Sequence, residues 1–251
     1  HRPTRLEERI NADNPITTVE RGFFHLEYHA YPAIALREAL MNALCHLDFR
    51  LPGPVLVIQY RRKLEISNPG GLVGDINPAN IHHHPRLSRN PVLVQALTRL
   101  RLINHSNLGI GRMFRAMLIE GKEPQRIADE RSYVRVSFKR QETSAAFREF
   151  VAIEEEKGHI LEVDHLFVLG YLMAHPELDT GTAVELGQRR ESETRDTLDD
   201  MAGVLDYLER GGNGGRGVYW CSRRRSRRTS ERSAGSVSAS AGASTICRNS
   251  R

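Results

Sequence analysis

Cysteine is scarce. Three occur in 251 residues, Cys45, Cys221 and Cys247, and none are spaced as Cys-x-x-Cys. A disulfide framework and a cysteine-based zinc site are therefore not expected, and a reducing cytoplasm is the expected setting. Long apolar runs are also missing. Stretches such as Pro54–Ile58 fall far short of the roughly 18 residues that span a bilayer, so no membrane segment is expected. No signal-peptide pattern follows the first residue, which is His1 rather than Met, and the chain is expected to be a piece of something longer.

What is present fits a globular body. Apolar residues make up 39% and charged residues 27%, and the length suits one large or two modest domains. The net charge of +5 is unevenly spread. Residues 211–251 hold nine basic residues and one acidic, whereas residues 1–210 hold 27 basic and 30 acidic, a net of −3. From Cys221 onward nine of 31 residues are Ser and eight are Arg. Such a tail cannot bury a core and is expected to be disordered, with the composition that a shifted reading frame in GC-rich coding sequence would produce.

The body reads as alternating elements. Ile16–Val19 and Phe23–Tyr28 have strand content. A helix opens at Tyr31–Pro32, with Leu36, Leu40, Ala43 and Leu47 on one face. Pro54–Tyr60 and Lys63–Ser67 read as two strands turned by Arg61–Arg62, and Asn68-Pro69-Gly70-Gly71 breaks the second. A loop covers 72–90, helices follow at Val92–Leu102 and Gly111–Glu120, and Tyr133–Lys139 alternates as a strand. The expected class is α+β, a two-layer α/β sandwich over residues 1–141. A charged helical connector follows at 142–160, with Glu154–Glu156 as its solvated face. Residues 161–220 give helix, helix, turn, helix and hairpin, the order of a winged helix. There Glu191–Leu205 is the long helix, with Thr194, Thr197, Leu198, Met201 and Leu205 inward, and Leu208–Arg210 and Gly217–Trp220 are the hairpin strands. Residues 221–251 form the tail.

Three short segments of the first domain carry the chemistry. Glu38 and Asn42 lie four apart on one helix face, and His46 extends the stripe. Ser67-Asn68-Pro69-Gly70-Gly71-Leu72 ends a strand, and Asn107-Leu108-Gly109-Ile110-Gly111 opens a helix. Each alone has an ordinary explanation: a wet helix face, a turn, a helix start. Two loop features stand beside them. His82–His84 cannot all face one ion from an ordinary loop, so a plain loop segment is expected. Arg89, in Ser88-Arg89-Asn90-Pro91, could reach a phosphate or belong to a helix-capping loop.

In order and spacing, the three segments resemble a GHKL ATP-binding domain, the Bergerat fold of gyrase B, the heat-shock chaperone ATPase and sensor histidine kinases. The stretches ALREALMNALCHLDF, LEISNPGGL, SRNPVLVQAL and GIGRMFRAM resemble in particular the RecG-related transcriptional regulators, which also carry an AlbA-like domain and a C-terminal winged helix. The resemblance covers about residues 1–220. It implies ATP and Mg²⁺ as cofactors, Asn42 as the metal-holding residue and Glu38 as the general base or water-positioner. It implies nucleotide contacts at Ser67, Asn68, Gly70, Gly71, Arg89, Gly109 and Gly111, where glycine lets the backbone approach phosphate at a helix N-terminus. A homodimer is implied by the same relatives. One departure stands out: Ser67 or Asn68 occupies the place of the family's adenine-contacting Asp, and a neutral acceptor bonds the amino group more weakly than a carboxylate.

The winged helix implies double-stranded DNA as a partner, through Arg189, Arg190, Arg195, Arg210 and Arg216. Its long helix argues otherwise, because Glu191, Glu193, Asp196, Asp199 and Asp200 repel phosphates. The first reading is a cytoplasmic transcriptional regulator, at most a weak ATPase. The alternative is a non-catalytic interaction protein with a degenerate nucleotide site. A RecG-related helicase rests on the family name only, since no Gly-x-x-x-x-Gly-Lys-Ser/Thr loop occurs in the sequence.

Overall fold

The computed structural model describes residues 5–21, 23–85, 87–103, 109–212 and 219–222. The expectations for Asn107–Leu108, Arg216, the hairpin tip at 213–218 and the tail from 223 onward lie outside these residues. The elements are α1 (Arg5–Ala12), β1 (Ile16–Arg21), β2 (Phe24–His29), α2 (Ala33–Cys45), β3 (Leu56–Gln59), β4 (Lys63–Pro69), α3 (Pro91–Arg99), α4 (Gly109–Leu118), β5 (Arg126–Asp129), β6 (Tyr133–Lys139), α5 (Ala145–Glu156), α6 (Val163–Ala174), β7 (Leu178–Asp179), α7 (Thr180–Gly187), α8 (Glu191–Gly203), β8 (Leu208–Gly211) and β9 (Tyr219–Ser222). The class is α+β with antiparallel sheets. The chain divides into two compact units, 1–170 with 187–189, and 171–186 with 190–251. The division falls inside α6 rather than at 141 or 160, and it leaves the expected connector, α5, within the first unit.

In the first unit β1 and β2 pair as a hairpin, Ile16 opposite His29. Buried Asn14 closes its open end by clamping the Tyr31 backbone: its amide nitrogen donates to the Tyr31 carbonyl at 2.9 Å, and its oxygen accepts from the Tyr31 N–H at 3.0 Å. The main sheet has the order β3-β4-β6-β5. Directly paired residues share a face and successive residues alternate. Leu64 opposite Phe138, Ile66 opposite Val136 and Asn68 opposite Val134 therefore make one face, joined by Ile127 of β5. Leu64, Ile66 and Phe138 are sealed there, and Met113 and Met117 of α4 are equally buried. The other face is polar: buried Glu65 lies opposite Ser137 and accepts from Lys63 Nζ at 2.7 Å.

Helix α2 is buried more widely than its leucine stripe implies, because Ala35, Ala39 and Cys45 are inside as well as Leu36, Leu40 and Ala43. Small side chains let α2 approach both α4 and β4. Helix α5 starts at Ser144, whose hydroxyl accepts from the Phe147 N–H at 3.4 Å, a cap worth about 1 kcal/mol. The expectation that Glu154 is solvated is corrected. It is buried and holds both Lys157 Nζ and His159 Nδ1 at 2.8 Å. Three adjacent glutamates cannot share one face of a helix, and Glu154 falls on the side of buried Phe147 and Val151.

The second unit contains α7, α8 and a three-stranded sheet of order β7-β9-β8. Its core is Leu178, Leu198, Met201, Leu208 and Trp220. Of the inward candidates on α8, Thr194, Leu198 and Met201 are buried, whereas Thr197 and Leu205 are half-buried. Strand β9 extends through Cys221 and Ser222, beyond the expected end at Trp220.

Candidate functional site

A cavity of about 220 Å³ lies in the first unit. Its walls come from three parts of the chain: Glu38, Asn42 and His46 from α2 and its C-terminal end, Asn68, Gly71 and Leu72 from the end of β4, and Gly109, Ile110, Gly111 and Arg112 from the start of α4. Ile127, Val134 and Val136 give it an apolar floor. The 72–88 loop contributes Val73, Ile76, Ile81, His82, Leu87 and others. Segments up to 74 residues apart in sequence, Glu38 to Arg112, thus meet at one opening.

The polar groups here are unevenly satisfied. The Nδ2 of Asn42 is buried with no hydrogen-bond partner among the described residues. Leaving such a donor dry costs about 1–3 kcal/mol, a cost a polar ligand would remove. Rotation of the amide exchanges its nitrogen and oxygen, so the same position can present either a donor or an oxygen ligand. Gly111 has open space where a Cβ would stand, so packing does not demand glycine there. Gly70 is the opposite case. It has φ +95°, and a Cβ would lie 2.8 Å from Asp48 Cβ. It does not line the cavity, and its glycine is required by the turn.

Two sequence expectations change. Ser67 lies opposite Arg135, on the sheet face away from Asn68, so of the two candidates only Asn68 borders the cavity. Arg89 does not line the cavity. Its guanidinium is held by Asp48 Oδ2 at 2.7 Å and by the Gly71 carbonyl at 2.6 Å, so its charge is spent on the turn. Its neighbour Asn90 caps the C-terminal end of α2, donating to the carbonyls of Cys45 and Leu47 at 3.0 and 2.7 Å. Hydrogen bonds from the Arg50 side chain and backbone, then the charges of Arg50 and Arg89, hold the Asp48 carboxyl well below the usual carboxylate range.

Sequence reasoning missed Arg112, which pairs with Glu38 Oε1 at 3.0 Å. Only the adjacency of Arg112 to Gly111 hinted at it. It also missed the histidine cluster. His82 and His83 converge with Asp164 of α6, while His84 turns to Asp75 at 3.0 Å. Burial, then the neighbouring His83, lowers the His82 pKa to about 4, so its ring stays neutral.

The arginines proposed for DNA are partly committed. Arg189 belongs to the first unit and pairs with Asp164 at 2.5 Å. Arg195 pairs with Glu191 at 2.5 Å, Arg210 lies over the Trp220 ring, and Arg190 is exposed at the N-terminal cap of α8. All five acidic residues of α8 named above are exposed. No helix among the described residues is long and apolar enough to cross a membrane.

Residues 53–138 match the model of a family described as "Putative ATP-dependent DNA helicase recG C-terminal". This stretch supports an ATPase-like domain of a RecG-related kind. It holds both glycine segments but begins after α2, so Glu38 and Asn42 lie outside it. No curated protein matches the chain. Among solved structures, the DIP2311 protein from Corynebacterium diphtheriae is similar, with a TM-score of 0.71 and 24% identity. The alignment covers 89% of this chain and 46% of that one, so the chain spans about half the length of its structural neighbour. The likeness is one of fold.

Proposed function

We propose that the first unit binds ATP with Mg²⁺ in this cavity. One observation carries the reading: α2, the end of β4 and the start of α4 meet around a cavity whose Asn42 amide is buried and unsatisfied. The residues fit the ligand. The apolar floor suits a base, and the Asn68 amide, whose nitrogen donates to the Pro69 carbonyl at 3.1 Å, offers its oxygen to an exocyclic amino group. Open space beside Gly111 and the backbone N–H groups at the start of α4 suit phosphates. Mg²⁺ takes oxygen ligands and keeps several waters, so one Asn oxygen with phosphates completes a sensible shell. Bound there, Mg²⁺ would neutralise phosphate charge.

Binding without rapid turnover is the expected outcome. Glu38 is the carboxylate available as base, and its Oε1 is already engaged by Arg112 at 3.0 Å, which holds it away from an attacking water. Calorimetry with ATP and Mg²⁺ tests the reading, on the protein and on Asn42→Ala. Saturable binding that Asn42→Ala weakens supports it, and absence of binding by the intact protein overturns it.

A regulatory role for the second unit is the further part of the proposal. Its order of strand, helix, helix and hairpin is the later part of the winged-helix pattern, and α6, within which the two units divide, precedes it in the chain. The exposed acidic surface of α8 favours a protein contact, a second copy of the chain included, over DNA. A gel shift with the full chain and with Arg190→Glu and Arg210→Glu separates the two. A shift of duplex DNA that both substitutions abolish would restore DNA reading by this unit.

A further inference from the structure

Beside the cavity lies a second cluster with its own chemistry. His82 Nδ1 stands 3.0 Å from His83 Nε2, which in turn is 3.6 Å from Asp164 Oδ1 and 2.8 Å from the Gly187 carbonyl oxygen. One ligand atom from each of the two histidines and the aspartate falls within a 4.8 Å span. Neighbouring ligands of a tetrahedral ion bound at about 2.0–2.1 Å sit roughly 3.3 Å apart. The observed spacings bracket that value.

Proton counting sharpens the point. With the His82 proton on Nε2, the lone pairs of His82 Nδ1, Asp164 Oδ1 and the Gly187 carbonyl all approach His83 Nε2, and a neutral imidazole nitrogen offers them a single N–H. Asp164 Oδ1 is buried with no hydrogen-bond partner among the described residues. The cluster is therefore rich in acceptors and poor in protons, which is the condition a cation relieves. Its surroundings hold the groups in place. The His82 N–H donates to Gln188 Oε1 at 3.0 Å, and Gln188 Nε2 donates to the Pro78 carbonyl at 2.9 Å. The His82 ring packs against Phe114 and Phe167. Arg189 occupies the other oxygen of Asp164, an outer contact of the sort that orients a metal-binding carboxylate. All these residues belong to the first unit.

We propose that His82, His83 and Asp164 bind a zinc-type divalent transition-metal ion, with the Gly187 carbonyl as a fourth oxygen donor. Two imidazoles and a carboxylate suit Zn²⁺ better than Mg²⁺, which demands oxygen ligands in an octahedron. On binding, the His83 Nε2 proton is released and its Nδ1 takes up one from water, so the ring stays neutral. The ion would fix the 72–88 loop, which walls the cavity, to the start of α6. This site does not rest on the nucleotide reading: His82 also lines the cavity, but none of Glu38, Asn42 or the glycine segments is a ligand here.

The test uses the untagged full chain, freed of metal with a chelator and titrated with Zn²⁺ in the absence of nucleotide. Cobalt(II) absorption in the visible region reports coordination geometry in parallel. One tight equivalent of Zn²⁺ is expected, together with the intense visible bands of a four-coordinate cobalt site. His83→Ala and Asp164→Asn should each weaken binding at least tenfold, whereas His84→Ala and Asn42→Ala should leave it unchanged. The His83 side chain is exposed enough for His83→Ala to fold, and Asp164→Asn preserves shape; circular dichroism checks both. Absence of a tight equivalent overturns the proposal, as does unchanged affinity in the two ligand variants. In either case the cluster is a hydrogen-bonded group of side chains and holds no metal ion. ATP binding measured on the same samples reports separately on the nucleotide site.

Discussion

The cavity of the first unit and the α8 surface of the second treat their polar groups in opposite ways. In the cavity an amide is buried and left without a partner, and glycine stands where nothing prevents a larger residue. On α8 the acidic residues are exposed to water, and its one arginine is paired with Glu191. Unmet polar groups in an enclosed space carry a cost that a ligand can remove, whereas solvated charges carry none. The first region carries a polar cost that the proposed nucleotide would remove. The second shows no such debt, and its charge excludes polyanions more than it selects a partner.

The comparison can be broken in several places. The largest expected effect is in the second unit. Leu198→Ala, at a fully buried position of α8, should destabilise it by about 2–5 kcal/mol. A thermal melt should show this while ATP affinity stays the same; a parallel loss of ATP binding would mean the two regions are not separable. Asn42→Ala should weaken ATP binding at least tenfold, or about 1.4 kcal/mol or more, with unfolding free energy unchanged or slightly raised. The reverse pattern, lower stability with normal ATP binding, would make Asn42 an ordinary structural residue.

The glycines sharpen the contrast within one site. Gly70→Ala should cost about 1–3 kcal/mol of stability from its positive φ, with further cost from the approach to Asp48. Gly111→Ala should leave stability unchanged or raise it by roughly 0.5–1 kcal/mol, as alanine does in a helix, while weakening ATP binding. Denaturant unfolding with calorimetry distinguishes the two. The smallest effect concerns acid. The folded Asp48 carboxyl stays ionised while an unfolded chain takes up a proton below about pH 4, so stability falls as the pH drops through that value. In Asp48→Asn that part of the acid slope should disappear, read from melting temperatures at a series of pH values.

Much of this was legible in the sequence. The leucine and alanine pattern of α2, the alternation of β6 and the boundaries of α8 follow from periodicity, because each buries a regular face. Strand β5 was not legible. Arg126–Asp129 has four residues and one buried side chain, Ile127, and it exists because β6 offers it an edge. Helix α1 was missed for a similar reason, since in its eight residues Ile10 is the buried hydrophobic. For the site, the three segments could be picked out, but the side of β4 that faces the cavity could not be chosen between Ser67 and Asn68. Register settles that choice, and register depends on the partner strand.

Arginine shows the same limit. Arg89, Arg112, Arg189 and Arg195 read alike along the chain, as basic residues within two positions of glycine, proline or acid. Each is committed to a particular carboxylate, from Asp48, Glu38, Asp164 and Glu191 respectively. Only the last partner lies on the same helical turn, where sequence spacing reveals it.

The sequence alone determined the α+β class, most of the helix and strand order of the body and the residue types proposed to hold a nucleotide. These follow from local periodicity and from the turn chemistry of glycine and proline, which act over a few residues. Tertiary structure decided which of those residues share a cavity, which arginines are already neutralised, and that two of three consecutive histidines meet an aspartate some 80 positions away. Those outcomes depend on burial and on contacts between distant segments, which no local pattern encodes.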